Sequence, residues 1–342
     1  MTTAHTFLLV DFANLFFRMR HVVSRTSDPE EKCGMAIHLS LSAINQSVKR
    51  FKIDHVLILL EGRSWRKKVY KPYKANRVID EKAMTQAELE ENKMFWETFE
   101  TLTSFLKEKT NLSVLRNPIA EADDLIARFI HLHPNDNHYI LSTDTDFVQL
   151  IAPNVKQYNG VTNQLITLEG YFDDKNKPVI DKKTKLPKTL GDPQFLLFEK
   201  IMRGDTTDNI FSAYPGVRTK GSKTKAGLTE AFADKTKQGF IWNNVMLTKF
   251  VDHEGIEHQV KDDYIRNRTL IDLTAQPEEI KETVDNTITN EVRTTLVPQV
   301  GMHFMKFTGK HKLIKISEQI DTYAKWLNAP YPVNRERNVV NE

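Results

Sequence analysis

With 342 residues, 40% of them hydrophobic and 27% charged, the chain can bury one large core or two smaller ones, and collagen-like and low-complexity classes are excluded. Its one cysteine, Cys33, excludes an internal disulfide framework and a cysteine-based zinc site, and fits a reducing compartment. Net charge is only +3, so no acidic or basic partner follows from the total.

In chain order, the first element is an apolar run, Phe7 to Val10, that is too short for a helix and ends on Asp11. No basic region precedes it and Asp11 interrupts it, so it reads as a buried strand rather than a secretory signal or membrane span, and a cytoplasmic location is expected. His55 to Leu60 repeats the pattern and ends on Glu61. Residues 85 to 109 place Leu89, Met94, Phe95, Phe99, Leu102, Phe105 and Leu106 at three-and-four spacing, which predicts a long amphipathic helix. Leu112 to Leu115 predicts a third strand, Glu121 to Leu132 a helix, and Tyr139 to Leu141 a fourth strand running into Asp144 and Asp146. Alternating strands and helices predict an α/β fold with a mainly parallel, twisted sheet covered on both faces. After about residue 160 the text turns polar, with room for one hairpin, and beyond Asp192 it is mostly helical. The expected division is a core over 1–190 and a helical region over 191–342.

In a parallel sheet, ligands bind outside the carboxyl ends of the strands. Nine carboxylates are candidates for that edge: Asp11, Glu61, Glu121, Asp123, Asp124, Asp144, Asp146, Asp205 and Asp208. At an effective dielectric of ~20, two unit charges ~4 Å apart repel by roughly 4 kcal/mol, so such a cluster calls for bound cations. All-oxygen ligands suit magnesium or manganese, and two ions form a clamp for phosphoryl displacement. Taken singly, an acidic first helix turn such as Glu121–Asp124 is also what a helix dipole favours.

From Arg63 to Arg77, seven basic residues in fifteen stand without an acid, interleaved with Trp65, Tyr70 and Tyr73. Charges for phosphates and faces for bases are the ingredients of single-strand binding, although a solvated basic loop has the same composition and Trp65 and Tyr70 read more simply as packing residues. Gly216 to Thr224 misses a phosphate-binding P-loop by one residue, and His253 to His258 misses a zinc-protease helix by one.

The ordered blocks LLVDFANLFFR, RSWRKKVYKPYKANR, EADDLIA, STDTDFVQL and GDTTDNI resemble the flap endonuclease and 5′ to 3′ exonuclease family, nearest its T-even-phage-type ribonuclease H branch, over about residues 5 to 235. The resemblance implies a PIN-like nuclease core, a helical arch over about 74–100, and a helix-three-turn-helix element within about 205–235. It places Asp11, Glu121, Asp123, Asp124, Asp144, Asp146, Asp205 and Asp208 on the family's metal-site acids. Lys74 and Arg77 fall on the basic pair that reaches the scissile phosphate, and Tyr73 on the base-stacking aromatic. Arg63, Arg66, Lys67 and Lys71 are further candidates for nucleic-acid contact, as are Lys220, Lys223 and Lys225 in the turns. Cofactors implied are two Mg²⁺ ions, with Mn²⁺ as substitute, and K⁺ at the turns. Implied partners are DNA and RNA–DNA duplexes with a 5′ end or flap, a single-stranded-DNA-binding protein and a sliding clamp, for a monomer with no membrane role. The implied activity is 5′ nuclease and RNase H-type cleavage that removes RNA primers in phage replication. A PIN-type ribonuclease and a catalytically silent DNA-binding protein are the alternatives. Two departures stand out: Glu61 replaces the family's usual aspartate, and Asn209 to Gly216 is an expanded turn.

Overall fold

The computed structural model describes residues 4–22, 28–222, 226–252 and 254–332. Seven strands form one sheet: β1 (Thr6–Asp11), β2 (His55–Leu60), β3 (Ser113–Arg116), β4 (Asn137–Leu141), β5 (Val155–Asn159), β6 (Gln164–Thr167) and β7 (Gly170–Phe172), in the order β3-β2-β1-β4-β5-β6-β7. The first five are parallel, and β6 and β7 continue antiparallel. The chain runs outward from β1 to β3 and then returns to lay β4 on the other side of β1. The carboxyl ends of β1 and β4 therefore flank the point where strand order reverses, which is where open α/β sheets make their crevice.

The unbroken apolar runs of β1 and β2 follow from burial on both faces. Leu8, Val10, Val56, Ile58 and Leu60 pack on one side, while Phe7, Leu9, Leu57 and Leu59 pack on the other. Helices Pro29–Phe51 and Gln86–Lys109 cover the first face, and helix Ala122–Leu132 covers the second. A third apolar cluster is separate from the sheet: Phe198, Met202, Tyr214, Leu228, Val245 and Tyr264 join helices Pro193–Arg203, Leu228–Lys235, Phe240–Leu247 and Val260–Ile271.

The packing does not divide at 190/191. Helix Glu278–Glu291 lies on the second face through Ile280, Val284 and Ile288, and helices Val300–Lys310 and Ile320–Leu327 complete the first through Phe304, Phe307 and Trp326. Residues beyond 240, which carry no motif, thus supply part of both walls. None of the described helices is long and apolar enough to cross a membrane.

Candidate active site at the carboxyl edge of the sheet

Each strand end delivers its acid by a local device. Asp11 closes β1, and its carboxylate accepts the Ser142 hydroxyl (2.9 Å) and the Asn14 amide (3.4 Å). Asn14 in turn accepts the backbone and hydroxyl of Thr143 (3.2 and 2.9 Å), so the ends of β1 and β4 are tied together. Asp144 caps the 3₁₀ turn Thr145–Leu150 by accepting the Asp146 amide at 2.9 Å. Glu61 follows β2, and Gly62 presses its backbone on the next loop so closely that a Cβ there would stand 1.9 Å from the Asn117 carbonyl oxygen. Only glycine fits, and the Glu61 and Glu121 loops meet as a result. Gly204, at φ 77°, plays the same part for the Asp205–Ile210 loop, whose ends exchange backbone bonds of 2.9 and 2.7 Å.

These loops enclose one pocket of about 1400 Å³. Asp11, Glu61, Glu121, Asp123, Asp144, Asp146, Asp205 and Asp208 line it, together with Arg63, Lys67, Lys74 and Arg77. Eight of the nine predicted acids are thus brought to one pocket. Asp124 does not line it, but its carboxylate comes within 4.8 Å of those of Glu121 and Asp123, a group that could hold a metal ion; it is 0 % exposed and accepts Arg66 through both oxygens (2.9 Å each), Trp65 Nε1 (3.0 Å) and Gln276 Nε2 (2.8 Å).

Two residues read as nucleic-acid contacts are placed inside. Arg66 is 1 % exposed and donates to Asp124, Glu121 and the Leu270 carbonyl. Tyr73 is 2 % exposed, its hydroxyl donating to Glu121 (2.9 Å) and Asp208 (3.1 Å), so its ring offers no open face for a base. Lys71 and Lys220 are exposed and do not line the pocket, and Lys223 and Lys225 lie outside the described residues.

The arch region 74–100 comprises helix Ala75–Lys82 and the first part of helix Gln86–Lys109, whose start is fixed by the Thr85/Glu88 capping box. Its foot is clipped to the Asp205–Ile210 loop. The Lys74 amide donates to the Asp208 carbonyl (2.9 Å), Asn209 Nδ2 to Pro72 (2.8 Å), and Arg77 to the Asp208 carboxylate (3.0 Å). Lys74 holds φ at 54°, a conformation that side-chain-bearing residues seldom adopt outside functional or tight-turn positions.

The donor set fits hard divalent cations, since among the described residues no histidine or cysteine lines the pocket. The protein's own cations mark where positive charge is favoured. Lys200 places its ammonium against Asp146 and 2.8 Å from Asp205, and Lys74 pairs with Glu121 and lies 3.7 Å from Asp208. Burial works against the Lys200 charge, but Asp146 and Asp205 outweigh it and raise its pKa. Nothing in the sequence sets Lys200 apart: it is one of three charged residues, with Glu199 and Arg203, at the end of helix Pro193–Arg203 just before the GDTTD block.

Burial pushes Asp11 up to about 6, with Asp144 adding repulsion against the hydrogen bond from Ser142. Burial, then Asp11 and Glu121, push Glu61 up to about 7. Burial would also raise Glu121, but Lys74 and Arg66 outweigh it and hold that carboxyl at about 2. Because folded Asp11 binds its proton more tightly than the unfolded chain does, it favours folding at low pH, and that contribution is lost as pH rises from about 4 to 6. In chelator, this one group should remove about 3 kcal/mol across the window. Urea titrations at its two ends, compared with Asp11→Asn, check the sign: the variant should gain stability relative to wild type as pH rises. A parallel pair of curves would refute it.

Residues 6–180 match the family described as 5′-3′ exonuclease, N-terminal resolvase-like domain. The chain belongs to the 5′-3′ exonuclease and flap endonuclease family. It is a nuclease, a hydrolase of phosphodiester bonds. It is 28% identical over 230 residues to the flap endonuclease Xni of Shewanella loihica, covering 66% of this chain and 76% of that one. It is 26% identical over 239 residues to the flap endonuclease of Escherichia phage T5, covering 68% and 72%. A solved structure of T5 5′-exonuclease with bound divalent zinc superposes with a TM-score of 0.57 at 20% identity, over 84% of this chain and 100% of that one, and shows the shared fold.

Proposed function

We propose that this nuclease cuts flap-bearing and duplex nucleic acid near 5′ ends with two magnesium ions, for which manganese substitutes, and that its substrates include RNA primers on a DNA template in phage replication. The carrying observation is the pocket itself: eight carboxylates, with Lys74 and Arg77 set among them at the foot of the arch. Bound there, the metals would lower the pKa of a nucleophilic water and stabilise charge on the phosphodiester. The chain's own share is to position and neutralise. Lys74 and Arg77, tethered through Glu121 and Asp208, face the space where the reacting phosphate would lie. Arg63 and Lys67 on the same wall suit the backbone of the adjoining strand. The turns over 205–222, after helix Pro193–Arg203, suit the duplex and a K⁺ ion, and hydrolysis would leave a 5′ phosphate on the product. A single-stranded-DNA-binding protein and a sliding clamp are the protein partners this reading entails. A silent DNA-binding protein would have no use for eight carboxylates on one pocket, Asp11 and Glu61 among them raised first by burial and then by neighbouring carboxylates.

The test is cleavage of end-labelled flap, nicked and RNA-primed duplexes in magnesium and in chelator. Cutting should require the metal, and Lys74→Ala should lower the single-turnover rate at saturating enzyme by about 10²-fold with little loss of binding, since it removes an interaction made mainly in the transition state. Undiminished cutting in excess chelator, or a Lys74→Ala variant that loses binding alone, would overturn the assignment.

A further inference from the structure

We propose that Gln149 is a positioning residue: its side-chain amide fastens the turn that presents Asp146 to the end of helix Val260–Ile271, so that the helical region sets how tightly the pocket holds a divalent cation, an inference that rests on the two-metal reading above. Gln149 lies in the STDTDFVQL block, three residues after Asp146 in the 3₁₀ turn Thr145–Leu150. Residues three apart in such a turn are stacked, so Gln149 falls on the same edge as Asp146. Its amide is used at both ends. Nε2 donates to the Asp146 carbonyl at 2.9 Å and to the Ile271 carbonyl at 3.1 Å, while Oε1 accepts the Leu273 amide at 2.8 Å.

The Ile271 carbonyl is among the last of its helix, which have no partner within the helix, and a cap there could be all that Gln149 supplies. Two observations argue for more. The neighbouring Leu270 carbonyl is taken by Arg66 Nε at 2.8 Å, so this helix end is already joined to the sheet core without Gln149. The two acids of the turn are also held from different sides. The Asp144 carbonyl accepts Gln157 Nε2 at 2.6 Å, from β5 within the sheet. Asp146 has its carbonyl tied through Gln149 to Ile271 and its carboxylate against Lys200, and the helices that carry Ile271 and Lys200 pack in one apolar cluster. Backbone and side chain of Asp146 therefore both answer to the helical region. A carbonyl fixed by an amide sets the peptide plane from which the carboxylate springs, and partners that orient a metal ligand in this way are worth as much to metal affinity as many ligands are.

Mn²⁺ binding is measured by electron paramagnetic resonance, without nucleic acid, for the wild type, Gln149→Met, Asp146→Asn and the double variant, with circular dichroism reporting the fold of each. Gln149→Met should weaken the Mn²⁺ site that Asp146→Asn weakens, by about 10- to 100-fold, the span that loss of a partner behind a metal ligand gives. In the Asp146→Asn background the same change should weaken binding no further, because a residue that acts through Asp146 has nothing left to position. A merely structural role would lower the amount of folded protein without moving the affinity of the folded fraction. Gln149 is half-buried, so in Gln149→Ala water reaches the freed carbonyls, and that variant serves in the same cycle if Gln149→Met does not fold. Wild-type affinity in the folded variant, or a loss that adds to that of Asp146→Asn, would overturn the proposal. The two readings fail separately: a wild type that binds no Mn²⁺ refutes the two-metal reading and this one with it, whereas a wild type that binds Mn²⁺ and cuts, beside a Gln149→Met variant of equal affinity, refutes the role of Gln149 alone.

Discussion

Asp146→Asn is expected to lower the single-turnover cleavage rate by about three orders of magnitude and to leave the protein folded. The side chain stands where strand order reverses, beside Asp144 and across from Lys200 and Asp205. On the reading proposed above, its neutralisation removes charge from the pocket lining that would face the reacting phosphate, while the Lys200 pair with Asp205, at 2.8 Å, leaves the local structure a charge pair. Rapid-quench kinetics with enzyme in excess, alongside circular dichroism, measure both halves. A folded variant within tenfold of the wild-type rate would place Asp146 outside the reacting centre.

The largest effect on stability should come from Arg66→Met. The guanidinium is the hub of a buried network, donating to both oxygens of Asp124, to Glu121 and to the Leu270 carbonyl, and so joining the sheet core to the helical cluster. Removing one partner of a buried ion pair leaves the other charge without compensation, at a cost of about 3–5 kcal/mol. Lys67→Met, one residue along and exposed, should stay within about 0.5 kcal/mol of wild type. Adding Asp124→Leu to Arg66→Met should recover part of the loss, because the uncompensated charge goes with it. Urea unfolding of the four proteins decides the matter, and a loss below about 1 kcal/mol for Arg66→Met would show that the network bears no weight.

These residues also show what could be read from sequence. The first four strands were legible because each is an apolar run ended by a polar or acidic residue, and the parallel arrangement followed from the helices between them. Strands β5 to β7 were not: VKQYN, QLIT and GYF are short, and they pair as continuations of an existing edge rather than as apolar runs of their own. The acids were legible as a set because carboxylates at successive strand ends have few other uses. Arg66 and Tyr73 were not distinguishable from their basic and aromatic neighbours, since their burial depends on Glu121, Asp124 and Asp208, between 48 and 135 residues away. Helices after residue 240 showed their periodicity but not their destination, because an amphipathic stripe does not specify which surface it will cover.

That destination bears on how the chain folds as it is made. Phe7, in the central strand, lies 5.8 Å from the Tyr331 ring, the Tyr331 hydroxyl bonds His133 at 2.9 Å, and His55 at the start of β2 reaches the Ala329 carbonyl at 3.3 Å. A ribosome that has completed all seven strands has therefore not yet delivered the residues that cover two of their aromatic and histidine side chains. At about 5–20 residues per second, the interval between residue 172 and residue 331 leaves the nascent sheet partly uncovered for roughly ten seconds or more. Over that interval the growing nuclease presents apolar surface to chaperones and to other chains.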